Sequence, residues 1–269
     1  MPIRYCKSRW EYGQVPFTTY LDRVVADGFE GAEVFLFPVS IGSAEIQSAV
    51  KDRGLFLIGQ VISMGNTPGE HRDSLTTQVE RAAACGALFV NCHTGSDFFS
   101  FGDNLDLFRH AEELSKKHGF PIRHETHRGR ALYNLPDTLR YLEALPGLEL
   151  TADLSHFMCV HESELRDHAA LLDPVIARTR HIHARVGFAE GPQVGHPLAP
   201  EWSGLLEHYL ALWKKMAAAV SASGAPFVTV TPEAGPPGYM PVLPFSNMPV
   251  ADAWTVNVQM KDWLKNRMG

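Results

Sequence analysis

The sequence predicts an α/β fold built from repeated strand–helix units, on three observations. Short apolar runs alternate with longer segments of helical apolar spacing along the whole chain. The alternation occurs eight times, and such repeats demand parallel strands because each helix is a crossover. The last four apolar runs each lead into an acid or a histidine, and the C-terminal ends of parallel barrel strands are where functional groups collect.

Strands are expected at residues 3–6, 32–37, 55–62, 88–92, 121–125, 148–152, 180–184 and 227–231. Helices are expected between them. Residues 17–27 carry Tyr20, Leu21, Val24 and Val25 at helical spacing and stop at Gly28. Residues 43–52 follow, with Ser43 as the expected N-cap and Gly54 as the stop. Residues 70–85, 104–118 and 205–220 run toward Gly86, Gly119 and Gly224, and residues 135–145 and 250–266 complete the regular cases. Residues 163–177 form one expected helix, in which Pro174 marks a break or kink. Eight such units in 269 residues match the size of a (β/α)8 TIM barrel, read as a single domain over residues 1–269. A doubly wound open sheet is the rival, but no Gly-rich phosphate-binding fingerprint follows the first strand. Two Gly- and Pro-rich loops, 187–203 and 232–248, follow the seventh and eighth strands and read as covers over an active site.

Composition narrows the partners. A net charge of −6 with no lysine or arginine run disfavours nucleic acid and anionic membranes. No signal-peptide pattern or membrane-length apolar stretch is present, so a cytoplasmic location is expected. Cys6, Cys85, Cys92 and Cys159 form no CxxC pair and read as buried thiols.

The strand ends carry the chemistry. The fifth strand leads into His124-Glu125-Thr126-His127, the sixth into Asp153-Leu154-Ser155-His156, the seventh into His181-Ile182-His183-Ala184-Arg185, and the eighth into Thr231-Pro232-Glu233. Side chains alternate along a strand, so four neighbouring strands aim these groups at one spot. Three carboxylates held that closely repel one another and are costly to desolvate, and a divalent cation resolves the conflict. Three carboxylates and one imidazole suit Mn, Mg, Co or Zn. Singly, each residue has a plainer reading: Glu125 as a salt-bridge partner, Asp153 as a helix cap, a strand histidine as a satisfied core group.

In this order on successive strands, Glu125, the Asp153-Leu-Ser-His156 run, the His181-Ile-His183 run and Glu233 resemble the xylose isomerase-like TIM-barrel superfamily, specifically its sugar phosphate isomerase/epimerase and ketose 3-epimerase branch. The resemblance implies that Glu125, Asp153, His183 and Glu233 hold one divalent metal. It also implies that His156 and Arg185 contact substrate oxygens, and that the assembly is a homodimer or homotetramer. The activity implied is a sugar isomerase or epimerase working through a metal-stabilised enediolate, with Glu233 taking a proton on one face and Glu125 returning it on the other. His93 and Asp97, after the fourth strand, are placed near the site, and Trp10, Trp202 and Phe188 are candidates for its apolar walls.

The Glu125-Thr126-His127 run also resembles the dehydroshikimate dehydratases of the same superfamily, which implies His127 as the base and loss of water. Arg128 and Arg130 directly after it suit a carboxylate or phosphate, or belong to a solvated loop. A metal-dependent lyase of a keto acid or keto-polyol is therefore the alternative. The superfamily also contains endonucleases with three zinc ions, which need an Asp-x-His pair after the seventh strand. This chain has only His196 there.

Overall fold

Strands β1 (Ile3–Ser8), β2 (Gly31–Phe35), β3 (Phe56–Ile62), β4 (Phe89–His93), β5 (Ile122–Glu125), β6 (Leu150–Ala152), β7 (Thr179–Ala184) and β8 (Val228–Pro232) pair in sequence order, and β8 returns to β1 to close the cylinder. Every pairing is parallel. The computed structural model describes residues 1–37 and 40–268. Around the strands lie α1 (Phe17–Ala26), α2 (Ser43–Lys51), α3 (Pro68–Ala84), α4 (Phe101–His118), α5 (Leu135–Ala144), α6 (Leu154–Val160), α7 (Ala169–Arg178), α8 (Ser203–Ala222) and α9 (Ala253–Met268). This is the (β/α)8 barrel that the alternation predicts.

Local chemistry sets the helix ends. Thr67 and Glu70 form a reciprocal capping box at the start of α3, with Pro68 in the first turn. Ser100 and Asn134 accept from Asp103 N–H and Asp137 N–H to cap α4 and α5. Gly119 closes α4 in the left-handed conformation, its N–H donating to Ser115 O.

Three expectations need correction. The N-cap of α2 is Gly42; Ser43 is already helical and makes no capping bond. Residues 163–177 are not one helix. A separate helix, α6, begins already at Leu154, capped by Asp153 accepting from Ser155 N–H, and α7 begins only at Ala169. Glu162 and Leu165 take positive φ between them, which stops a continuous helix there. Pro174 lies inside α7 and does not end it.

Alternation sorts the side chains into two populations. Ala32, Val34, Leu57, Val61, Val90, Cys92, Ile122, Leu150, Ile182 and Val230 point outward and pack with the helices into the main core. Cys6, Ile58 and Phe89, with Phe56 against them, form a separate apolar cluster in the barrel interior. Above that plug, the inward positions turn polar: Glu33 on β2, Asn91 on β4, Glu125 on β5, His181 and His183 on β7, Thr229 and Thr231 on β8, all buried. Among the four cysteines, none is in a disulfide; Cys6, Cys85 and Cys92 are buried and Cys159 partly so.

The turn after β4 is the tightest point near this polar layer. Gly95 has φ +66°, and a Cβ there would lie 2.1 Å from Asn104 Oδ1. That oxygen accepts from Ser96 N–H, so it is not free to move aside. Gly95→Ala is expected to destabilise the protein by about 2–4 kcal/mol through left-handed backbone strain and overpacking. Urea denaturation followed by circular dichroism measures it, and a loss below about 1 kcal/mol would contradict the close packing.

Candidate active site and metal centre

The floor of the site is a carboxylate saturated with donors. Glu33 receives Thr231 Oγ1 at 2.7 Å, Asn91 Nδ2 at 2.9 Å and His183 Nε2 at 3.0 Å, with His181 Nε2 at 3.3 Å. Burial opposes its charge, but the two imidazoles and these bonds outweigh burial and hold the carboxyl well below the usual range. Because Nε2 of His183 faces Glu33, its Nδ1 is turned up toward the mouth of the barrel.

Four ligand-type residues, one from the end of each of β5 to β8, converge there. Ligand atoms of Glu125, Asp153, His183 and Glu233 all lie within 4.8 Å of one another. His183 Nδ1 is 2.7 Å from Glu233 Oε2 and 3.6 Å from Glu125 Oε2. Glu125 Oε2 is held by Asn91 Nδ2 at 2.7 Å and by His93 Nε2 at 2.8 Å. Asp153 divides its oxygens: Oδ1 caps α6, accepting from Ser155 N–H and Oγ, while Oδ2 faces the mouth and accepts from Arg185 Nε at 2.9 Å. The other branch of Arg185 donates to Glu233 Oε2 at 2.7 Å.

The donor set fits a divalent cation. Glu125 Oε1 is buried without a hydrogen-bond partner, and buried His183 Nδ1 has only close carboxylate contacts without hydrogen-bond geometry, an arrangement that costs free energy unless something binds there. The electrostatics agree. Burial disfavours a charged His183, yet Glu233, Glu33 and Glu125 push its proton affinity well above the ordinary imidazole value. Burial raises the Asp153 carboxyl, and Glu233 and Glu125 add to that rise against the pull of Arg185. The pocket is short of positive charge. Two other clusters, Glu33 with His181 and His183, and His93 with Glu125 and His127, also have cation-like spacing. The first is already satisfied by its own hydrogen bonds.

A cavity of about 510 Å³ opens onto this mouth. Glu233, Arg185, His93 and His127 line it, as does Trp10. His127 is stacked between His93 and His156, with ring centres 4.4 and 3.9 Å apart. Burial, with His93 beside it, keeps His127 well below the ordinary imidazole value, and burial does the same for His156. His127 Nδ1 donates to Arg128 O at 2.6 Å, so its Nε2 carries the lone pair and accepts from Tyr239 O–H at 3.2 Å. His156 lies beneath the cavity wall, fully buried, both ring nitrogens without a partner and Nε2 3.7 Å from Asp153 Oδ2.

The two expected covering loops meet over the site. Gln193 Oε1 accepts from Gly235 N–H and its Nε2 donates to Gly235 O. Gly235 has no room for a side chain, since a Cβ would lie 2.3 Å from the Trp10 ring. Trp10 meets Tyr239 edge-on at 4.8 Å, and both rings lie over the Arg185 guanidinium. Arg128 stacks on the other ring contact of this cover, 4.8 Å from the Tyr239 centre. Trp202 and Phe188 are not in the wall; they pack against each other, ring centres 5.2 Å apart, and against the core. Asp97 lines a different, smaller pocket. His196 bonds Gln259 at the exposed surface. No helix among the described residues is long and apolar enough to cross a membrane.

A closed parallel barrel with ionisable groups gathered at the C-terminal strand ends is the architecture of barrel enzymes. The family described as xylose isomerase-like TIM barrel matches residues 21–195, well over half the chain, and the protein belongs to that family. No curated protein matches the sequence. Solved structures share the fold at low identity. A D-allulose 3-epimerase from Methylomonas sp. is 13% identical with a TM-score of 0.68, covering 99% of this chain and 98% of its own. The 3-keto-D-glucoside 4-epimerase of E. coli is 16% identical with a TM-score of 0.64, covering 98% and 99%. A probable 3-DHS dehydratase from Bacillus anthracis is 13% identical with a TM-score of 0.63, covering 99% and 100%.

Sequence reasoning assigned no role to Glu33, Asn91, Gln193 or Tyr239. Glu33 did carry a signal: a lone carboxylate in the apolar strand Gly31–Phe35 must meet partners once buried. Glu33→Ala is expected to cost about 3–5 kcal/mol, because it strands buried His181, His183 and Asn91. Glu33→Gln, which keeps the shape, is expected to cost less. Urea titration of both variants tests this, and equal losses would contradict a charge-based role.

Proposed function

We propose that this protein is a divalent-metal-dependent isomerase or epimerase of a ketose-type substrate. The observation that carries the reading is the donor set of Glu125, Asp153, His183 and Glu233, closed to within 4.8 Å and holding two buried atoms that make no hydrogen bond. These four residues would hold the metal. When bound, it would supply positive charge to substrate oxygens and so acidify the neighbouring C–H.

The chain's own groups handle the proton. Glu233 lines the cavity and takes the proton from carbon, leaving a planar enediolate. Glu125, at the end of β5, hands the other face a proton that it takes up from solvent through its unbonded Oε1, while Glu233 releases the one it took. Arg185 holds the substrate carbonyl or a neighbouring hydroxyl, and Trp10 with Tyr239 excludes water above it. His93 keeps Glu125 Oε2 in place at 2.8 Å. Epimerases among the solved barrels of the same fold are consistent with this chemistry.

One observation favours a second reading, a dehydratase. His127 lines the cavity as a neutral imidazole, its Nε2 lone pair accepting from Tyr239 O–H. Released from Tyr239, that nitrogen would take a proton next to a keto group while the hydroxyl on the adjoining carbon leaves as water, and a probable dehydratase shares the fold.

One Mn, Mg, Co or Zn ion per chain is expected by elemental analysis. Glu233→Gln and Asp153→Asn should each lower metal content or weaken its affinity by at least about tenfold. Unchanged content in both variants would end the assignment. Ketoses incubated with the Mn-loaded enzyme in deuterated water should take up solvent deuterium at the inverted carbon, with turnover falling about 10²–10⁴-fold in Glu233→Gln. His127→Gln should leave that exchange within a few-fold. Loss of water from keto acids, abolished by His127→Gln, would instead select the dehydratase.

A further inference from the structure

We propose that the cavity is built for an anionic substrate, one bearing a carboxylate or a phosphate, and that Arg130 selects it. The proposal deepens the reading above, since it takes the four-residue cluster to mark where the reacting end of the substrate lies.

Three arginines, Arg9, Arg130 and Arg185, line the cavity, whereas Glu233 is its single lining carboxylate among the described residues. Glu233 is already engaged by Arg185. Arg130 is different. Its Nη1 donates to two backbone carbonyls, Ser63 O at 3.1 Å and Gly95 O at 3.4 Å. Those are the only hydrogen bonds of its side chain among the described residues, and neither is to a carboxylate. Carbonyls orient a guanidinium without neutralising it. Nε and Nη2 are left unbonded, and neither is among the atoms sealed inside the protein. Glu125 and Asp97 act on it only from beyond ion-pair distance, and an arginine tethered through one nitrogen, with no ion pair and two nitrogens unbonded at a cavity wall, has the geometry of an anion receptor. The planar fork suits the paired oxygens of carboxylate or phosphate.

Charge balance points the same way. Glu33, Glu125, Asp153 and Glu233 bring four formal negative charges, which Arg185 and a divalent cation reduce to one. Arg130, with Arg128 stacked on Tyr239 and Arg9 on the wall, reverses the sign toward the opening. A neutral sugar would leave that excess positive charge unanswered. The roughly 510 Å³ of space is ample for a six-carbon chain with its anionic group, within the usual range of small-ligand sites.

The test uses the Mn-loaded full chain and three probes: D-fructose, D-fructose 6-phosphate and 2-keto-D-gluconate. Binding is followed by calorimetry and by intrinsic tryptophan fluorescence. At least one anion is expected to bind tenfold or more tighter than D-fructose. Tighter binding of the phosphate ester points to a phosphorylated substrate, and of the keto acid to a sugar acid. Arg130→Gln should abolish the preference while leaving D-fructose affinity and Mn stoichiometry unchanged, and Arg130→Lys should retain part of it. Equal loss of all three ligands in both variants would assign Arg130 a purely structural role and overturn the proposal, as would a wild-type protein that binds neither anion better than D-fructose. Anion preference without ketose turnover would sink the isomerase reading alone. Epimerisation of D-fructose with no anion preference would do the reverse.

Discussion

Four carboxylates gathered inside one end of a closed barrel are the constraint on which the rest of the structure depends. Charges of one sign at such separations repel strongly where water is excluded. The fold meets this by compensating each acid differently. Glu33 is answered from its own layer by two histidines, a threonine and an asparagine. Asp153 spends one oxygen on a helix cap and turns the other toward Arg185. Glu233 shares that arginine, and Glu125 leans on Asn91 and His93. Among the atoms left without a hydrogen bond are Glu125 Oε1 and His183 Nδ1 in the cluster, with Asn91 Oδ1 and Arg185 Nη1 beside them. The deficit is local, and it falls where the cavity begins.

The layering follows from the alternation of strands. The same period-two pattern that sends Val34, Val90 and Ile182 outward to the helices sends Glu33, Asn91 and His183 inward. A one-residue slip in any strand would exchange the two sets, so the register is held by both the core and the site. The apolar plug of Cys6, Ile58 and Phe89 closes the interior beneath the polar layer, which leaves the mouth as the approach to it. The covering loops then complete the wall from outside: the Gln193–Gly235 clasp joins them, and the missing side chain at Gly235 lets Trp10 settle over Arg185.

Much of this was legible in the sequence, for identifiable reasons. Repeated apolar runs separated by helical spacing have one economical closure, and the glycines after the helices mark the crossovers. The residues at the strand ends could be read because an acid after an apolar run is conspicuous. What was missed lay in cooperative or irregular places. The segment 163–177 looked helical by spacing, but positive φ at Glu162 and Leu165 divides it, and no residue there advertises that conformation as a glycine would. Asp153 was weighed as either a cap or a ligand-type residue. The structure has it capping with one oxygen and facing the cluster with the other, a division that only side-chain geometry reveals. Asn91 and Tyr239 are ordinary residues in their own segments, and their importance comes from partners far away in the chain, Glu33 and Glu125 for one, His127 for the other.

The barrel also explains why two reaction types remain close to one another in this architecture. β5 and β8 are separated by β6 and β7 in the cylinder, so groups at their ends reach the shared cluster from different directions. In the proposed reading, Glu233 holds one side of the substrate, and the other side belongs to the extension of β5. That extension offers two different proton carriers two residues apart: a carboxylate tied into the polar layer and a neutral imidazole on the cavity wall, its lone pair on Tyr239 O–H. A proton returned from Glu125 gives inversion; a proton removed by His127 beside a good leaving hydroxyl gives elimination. The choice then rests on how far along β5 the reactive carbon sits, and that distance is set by whatever anchors the far end of the substrate. Were Arg130, tethered to the turns after β3 and β4, that anchor, recognition and reaction type would be coupled through a single strand and the loop that follows it.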